Sequence, residues 1–327
     1  MKNTESKQYP YGSVFADMFR EYVDMNRAVG KNFDVAASAV WRFDKWCVEN
    51  GASNEILTRD VYSRWCEVNP NEKNTNHSAR IKTMNRAVAF LREHGRCDFT
   101  PQPAPRVSRS FTPHIFTQDE IQRFFSAADS IEKKMQAPLA YKIYPLMFRM
   151  LYCCGMRVSE ATLLRTECVD LDEGVLRILK AKHGKDRLVP MSESLTSLCR
   201  KYATDMLPVG SEYFFPSPDG GCLWKGTVYA RFRDLLWKAG IPHGGRGKGP
   251  RLHDFRHSFA VHRLAEWSRN GIDIYATIKI LSVYLGHIDL SSTQYYLRLT
   301  AEVFPELTTK FEAAFGDVFQ EVDHEKL

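Results

Sequence analysis

The chain has no run of apolar residues approaching the ~20 needed to cross a bilayer, and its opening MKNTESKQYPYG has no signal-peptide core. A cytoplasmic protein with no membrane partner is expected. Its eight cysteines, at 47, 66, 97, 153, 154, 168, 199 and 222, include no C-x-x-C pair, so reduced and mostly buried thiols are expected in place of a disulfide framework or zinc site. No acidic cluster of the kind a metal-dependent nuclease requires is evident. His253 and His257 stand four apart but lack the intervening Glu of a zincin and a nearby third ligand. The segment HGGRGKGPR sets three basic residues among four glycines, yet lacks the Lys-Ser/Thr ending and preceding strand of a phosphate loop. Neither metal nor cofactor is expected. The excess of positive charge is also small: a net +6 and a pI of about 8.8 permit a polyanionic partner without requiring one.

What is present is ordinary in bulk and specific in detail. With 327 residues, 44% hydrophobic and 26% charged, the chain is long enough for two domains with separate cores. The expected fold class is mainly α with a small antiparallel β-sheet: an N-terminal helical bundle followed by an α+β domain. Val14, Phe15, Met18, Phe19, Tyr22 and Val23 form a helical stripe. A second helix is expected after Asp34 as N-cap, with Val35, Ala39, Val40, Phe43 and Trp46 inward. A third starts at Thr58, and a fourth carries Ile81, Met84, Val88 and Leu91 and stops at Gly95. Lys73, Arg80, Lys82, Arg86 and Arg92 lie on or near one region of that fourth helix, as a solvated surface or a nucleic-acid contact. The proline-rich stretch 96–114 has no apolar period and reads as a linker between a first domain at 1–95 and a second at 115–300.

The second domain opens on a capping box, Thr117 with Glu120. A buried helix is expected over 144–154, ending at Gly155. Short strands are expected near 169–171, 175–179 and 187–189, with a turn at His183 and Gly184, and another near 213–215. Helices are expected over 195–206, 227–239 and 274–285. After residue 300, Thr300 is placed to cap a helix in which Phe304, Leu307, Phe311, Phe315 and Val318 make an apolar stripe that needs cover.

Residues suited to metal-free phosphoryl transfer gather in two places. PRLHDFRHSFA sets His253 and Arg256 three apart at a helix start, and CCGMRVSEATLLR sets Arg157 and Glu160 at the same spacing. SVYLGH supplies His287, and nine positions beyond it stands Tyr296, beside Tyr295. Guanidiniums grip phosphate oxygens with paired donors, imidazoles move protons near neutral pH, and a phenol can serve as nucleophile. Arg, then Lys, then His-x-x-Arg, then Leu-Gly-His, then Tyr, in this order, resembles the catalytic set of the tyrosine recombinases, the family of phage integrases, Cre and the Xer proteins. The resemblance covers about 115–300 through motifs, and the first domain only through helix count and position.

That resemblance implies a site-specific recombinase, of the compact kind carried by transposons or used as a chromosomal resolvase, acting in integration, excision or resolution of a DNA element. It implies a 3′-phosphotyrosyl intermediate on Tyr296. Arg157, Arg256 and His287 would hold the phosphate, His253 would take the phenolic proton, and Glu160 and His257 would support them. AKHGKDRLVP is similar to the family hairpin whose lysine protonates the leaving 5′-oxygen; Lys182 fits that register with Lys185 as rival, and Ala181 and His183 replace the family glycines. Further contacts to DNA are implied for Lys180, Lys185, Arg187, Arg246 and Lys248, besides the fourth-helix set. The partners implied are double-stranded DNA with paired half-sites and further copies of the chain, a dimer on one site and a tetramer in the synaptic complex, with 301–327 docking on a neighbouring protomer. No room is expected for the arm-binding domain of larger integrases. The rival readings are a type IB topoisomerase, with nearly the same chemistry, and a non-catalytic DNA-binding accessory protein.

Overall fold

Apolar helix faces on either side of the proline-rich stretch bury separate cores, in two compact units of the computed structural model, Met1–Phe111 and Thr112–Leu327. The structure describes residues 7–30, 33–107, 112–179, 186–206, 209–245, 248–287 and 291–307.

In the first unit α1 (Ala16–Ala28), α2 (Asp34–Glu49), α3 (Arg59–Cys66) and α4 (Asn74–Glu93) enclose Phe19, Val40, Phe43, Met84, Val88 and Leu91. Thr58 caps α3 as expected, its hydroxyl accepting the Val61 amide. Asp34 does not cap α2. It is the first helical residue, behind Phe33, and its carboxylate accepts from Arg27 Nη2 at 3.1 Å instead of from the backbone. Val35, expected inside, is 83% exposed: α2 turns its Ala37, Val40 and Phe43 face to the core and leaves position 35 outside that stripe. Cys97 and Phe99, in the stretch read as linker, are buried in this core, and Leu57 bridges to Cys97.

The second unit begins with α5 (Gln118–Asp129), whose capping box is complete: Glu120 N donates to Thr117 Oγ1 at 3.1 Å and Thr117 N to Glu120 Oε2 at 2.8 Å. The buried α6 (Ala140–Cys153) ends in a turn at Gly155, with φ of 56°, and leads to the short α7 (Val158–Thr162). A side chain at Gly155 would be strained twice, by its backbone and by Phe259 Cδ1 only 2.7 Å from the Cβ position. Strands β1 (Val169–Asp170), β2 (Val175–Ile178) and β3 (Arg187–Pro190) form an antiparallel sheet in that order, with Leu176 opposite Val189 and Ile178 opposite Arg187. The turn expected at 183–184 lies outside the described residues. Residues 213–215 make only a bridge, Tyr213 to Arg165; Phe214 and Phe215 are both buried, which a strand with one wet face does not allow.

α8 (Glu193–Met206) and α9 (Lys225–Lys238) complete the main core with α5 and α6. α10 (Asp254–Arg269) packs on α6, α11 (Ile274–Leu285) and α12 (Ser291–Val303). Thr300 does not begin a new helix. It lies buried inside α12, its hydroxyl donating to Tyr296 O at 2.7 Å, and a 3-10 turn at Pro305–Leu307 follows. Leu307 is buried on its own unit, with Leu264 and Leu297, while Phe311, Phe315 and Val318 lie outside the described residues. All eight cysteines are free, five of them buried. Among the described residues no helix is long and apolar enough to cross a membrane.

Candidate active site

Two helix ends meet the start of a third. His253 occupies the N-cap position of α10 and Arg256 follows one turn in, directed into the core, where it is only 1% exposed. Its Nη1 donates to Gly155 O (2.8 Å), just past the end of α6, and its Nη2 to Leu285 O (2.5 Å), at the end of α11. Helix C-termini leave carbonyls without intrahelical donors and carry partial negative charge, so one buried cation serves both ends. Among the described residues Arg256 has no carboxylate as a hydrogen-bond partner, and burial followed by the charge of Arg157 pulls its pKa down to about 10, still far above neutrality.

Arg157 stands at the N-cap of α7. Its amide donates to Glu160 Oε2 (2.8 Å), its Nη1 to Glu160 Oε1 (2.8 Å) and its Nη2 to Gly286 O (3.2 Å). Arg187 reaches the same carboxylate from β3, Nη1 to Oε1 at 2.9 Å and Nη2 to Oε2 at 2.8 Å, while its Nε donates to Tyr284 O at 2.9 Å. Burial would raise the Glu160 pKa, but the bonds and charge of Arg187, with those of Arg157, overturn this and hold it at about 2.

Tyr296, on α12, is 2% exposed. The ring of His287 lies nearly parallel to it at 6.0 Å, and His257 sits at 5.5 Å. His287 is oriented by Thr293, with Nδ1 and Oγ1 2.7 Å apart, and by its amide donating to Ser282 O. Burial raises the pKa of the Tyr296 phenol, against the pull of the adjacent Arg256 guanidinium. His257 also lies edge to face with His253, 4.7 Å between centroids, and its buried Nδ1 has no hydrogen-bond partner among the described residues. Its pKa is pulled down to about 3, by burial first and then by His253 and Arg256. His253 falls to about 4, by burial first and then by the guanidiniums of Arg256, Arg157 and Arg251; because the residue keeps an exposed surface, the guanidiniums are the firmer cause. Both imidazoles are neutral at pH 7, and His253, the more exposed of the two, is the one open to accept a proton.

Arg157, Glu160, His253, Arg256, His257, His287 and Tyr296 thus come together from α7, α10, α12 and the turn after α11. Arg157, Arg187 and Arg256 against the single Glu160 leave an excess of positive charge, a receptor for an anion with a phenol and neutral imidazoles beside it. Among the described residues no group of three or more His, Cys, Asp or Glu side chains is arranged to hold a metal ion. Lys180, Lys182, Lys185 and Arg246 lie outside the described residues. Lys73, Lys82, Arg86, Arg92 and Lys248 are exposed.

Two expected DNA ligands are corrected. Arg187 has its side chain only 7% exposed, with both terminal nitrogens on Glu160 and Nε on Tyr284 O. Arg80 is 10% exposed: it binds both oxygens of Glu72 and the carbonyls of Trp65 and Glu67, and lies over the Trp65 ring. Sequence reading missed Thr293, the carbonyls of Gly155 and Leu285, and the structural use of Arg187. Gly155 carried a signal, a glycine closing an apolar helix, whereas nothing in the spacing of Thr293 marks it.

The phage integrase family model matches residues 114–302. A putative integrase/recombinase, y4rE of Sinorhizobium fredii, is 33% identical over 94% of this chain and 98% of its own length, and y4rB of the same organism is 29% identical over 93% and 99%. The tyrosine recombinase XerD of Pseudomonas putida is 35% identical over 56% of this chain and 57% of its own. Among solved structures, the Tn1549 transposon integrase in complex with transposon right end DNA has a TM-score of 0.62 at 14% identity, covering 90% of this chain and all of that one, a likeness of fold alone. The chain belongs to the phage integrase family and is a tyrosine-type site-specific recombinase.

Proposed function

We propose that this recombinase cuts and rejoins double-stranded DNA through a 3′-phosphotyrosyl intermediate on Tyr296. The observation that carries the reading is the phenol buried against Arg256 with the rings of His257 and His287 beside it, in a site with more guanidinium than carboxylate. In this scheme the phenolic oxygen attacks the scissile phosphorus, the bond to the 5′-oxygen breaks, and a free 5′-hydroxyl leaves. Arg157, Arg256 and His287 hold the phosphate oxygens, each well-placed donor contributing on the order of 3 kcal/mol to the transition state. His253 takes the proton from Tyr296, and Lys182, or Lys185 in the rival register, protonates the departing oxygen. Paired half-sites are held by a dimer and two duplexes by a tetramer, with the segment 301–327 as the link between protomers, in the integration, excision or resolution of a DNA element. Exposed Lys73, Lys82, Arg86, Arg92 and Lys248 are the remaining described candidates for backbone contact.

A nicked suicide substrate in EDTA tests this, on half-sites identified by sequencing DNA recovered covalently attached to the protein. The wild type and Tyr295→Phe form a 3′ adduct and Tyr296→Phe does not. An adduct that persists in Tyr296→Phe, or that requires magnesium, would refute the assignment.

A further inference from the structure

Glu160 is one carboxylate between two guanidiniums, and the two hold it differently. Arg187 takes both oxygens with its two terminal nitrogens, and its Nε is held by Tyr284 O. Gly286 closes over it, so that a Cβ at that position would come within 3.1 Å of the Arg187 Cδ and Nη1. Arg157 gives the carboxylate a single guanidinium nitrogen and directs the other to Gly286 O over a longer 3.2 Å. The side chains of Arg187 and Glu160 are 7% and 6% exposed, that of Arg157 is 20% exposed. The buried ion pair is therefore Arg187 with Glu160, and Arg157 is the open member.

We propose that Arg187 is a positioning residue acting through charge: by neutralising Glu160 it leaves Arg157 a net cation for the scissile phosphate. The inference rests on the phosphotyrosyl reading above and names what keeps one of its phosphate ligands available. Without Arg187, Glu160 would be a buried anion whose remaining guanidinium partner is Arg157, and attraction at low local dielectric would close those two into a neutral pair. An incoming phosphate would then compete with a carboxylate for the same donors. The arrangement also explains why a motif-like arginine at the start of β3 turns inward: its fork is the shape that two carboxylate oxygens and one carbonyl require.

The test uses the full chain and the suicide substrate, with thermal melting and half-site binding as folding controls. Arg187→Met should slow adduct formation about 100-fold, the size of effect seen when one transition-state donor is lost. Glu160→Gln in the same chain should recover about tenfold of that loss, because it removes the anion that captures Arg157. A substrate with a methylphosphonate at the scissile position, one charged oxygen fewer, should narrow the gap between Arg187→Met and wild type. A purely structural role makes the opposite prediction, a double variant as slow as Arg187→Met or slower and equal losses on both substrates; either result overturns the proposal, as does near-normal cleavage by Arg187→Met. Should Arg187→Met fail to fold, Arg187→Lys decides: its retained charge should keep cleavage within about tenfold of wild type, and a loss as deep as that of Arg157→Ala would sink the idea. Absence of any adduct with the wild type defeats the phosphotyrosyl reading itself, an outcome separate from these.

Discussion

Arg80 in the first unit and Arg256 in the second are both removed from water, but their surroundings differ in kind. Arg80 meets a full carboxylate, two carbonyls and the face of Trp65, and its partner Glu72 is held at a pKa of about 2, first by its hydrogen bonds to Arg80. That charge is balanced where it lies. Arg256 is anchored by two helix-end carbonyls, and its other charged neighbours include Arg157 and Arg187, which repel it. A buried ion pair can be close to neutral for stability once its desolvation is counted, whereas a buried excess of one sign is costly and persists where an opposite charge has to arrive. The comparison separates an arginine that holds a fold from one that awaits an anion, and exposure alone does not, since both are buried.

Four measurements can break or sharpen that contrast. The largest effect is expected for Arg256→Lys, which keeps the charge but not the fork: adduct formation should fall about 1000-fold while half-site binding stays within a few-fold. If the variant instead loses stability and cleaves normally when folded, Arg256 belongs with Arg80. Next, Arg80→Met takes the guanidinium from Glu72 and leaves it only the two Asn69 donors, at a cost of about 1 to 3 kcal/mol in chemical denaturation, with little change in the cleavage rate of the folded protein. An unchanged denaturation midpoint would show the Arg80 pair to be dispensable.

The third measurement is stability against pH. His257 titrates near 3 in the folded chain, below the ordinary histidine value, so its contribution is fully present above about 6.5 and is lost as pH falls from there toward 3. By pH 5 the loss should be about 1 to 2 kcal/mol, and His257→Asn should flatten the decline in Tm between pH 7 and 5. Parallel curves for the two proteins would exclude this source. The smallest effect is expected where arginine and lysine are exposed: Lys82→Gln or Arg86→Gln should alter stability by less than about 0.5 kcal/mol but lower the salt dependence of DNA binding by about one unit of slope each. An unaltered slope would take that face of α4 out of the DNA contact.

Order and spacing along the chain determined much of this protein. His253 and Arg256 share a helical face because they are three apart, and the Thr117 capping box needs only local partners. Helix periodicity likewise located the cores of both units, because burial of an apolar stripe is a property of neighbours three and four residues away. Tertiary structure alone decided the fate of each charge. Arg187 and Arg80 looked like surface cations since the carboxylates that bury them, Glu160 and Glu72, lie 27 and 8 residues away, and no local pattern records such pairings. Thr300 falls inside α12 because its hydroxyl can bond back to Tyr296 O within a continuing helix, and Val35 lies outside because only the assembled bundle selects the inward face of α2. Local spacing sets which side chains can share a face; whether a charge on that face is neutralised or left open depends on what the rest of the chain brings against it.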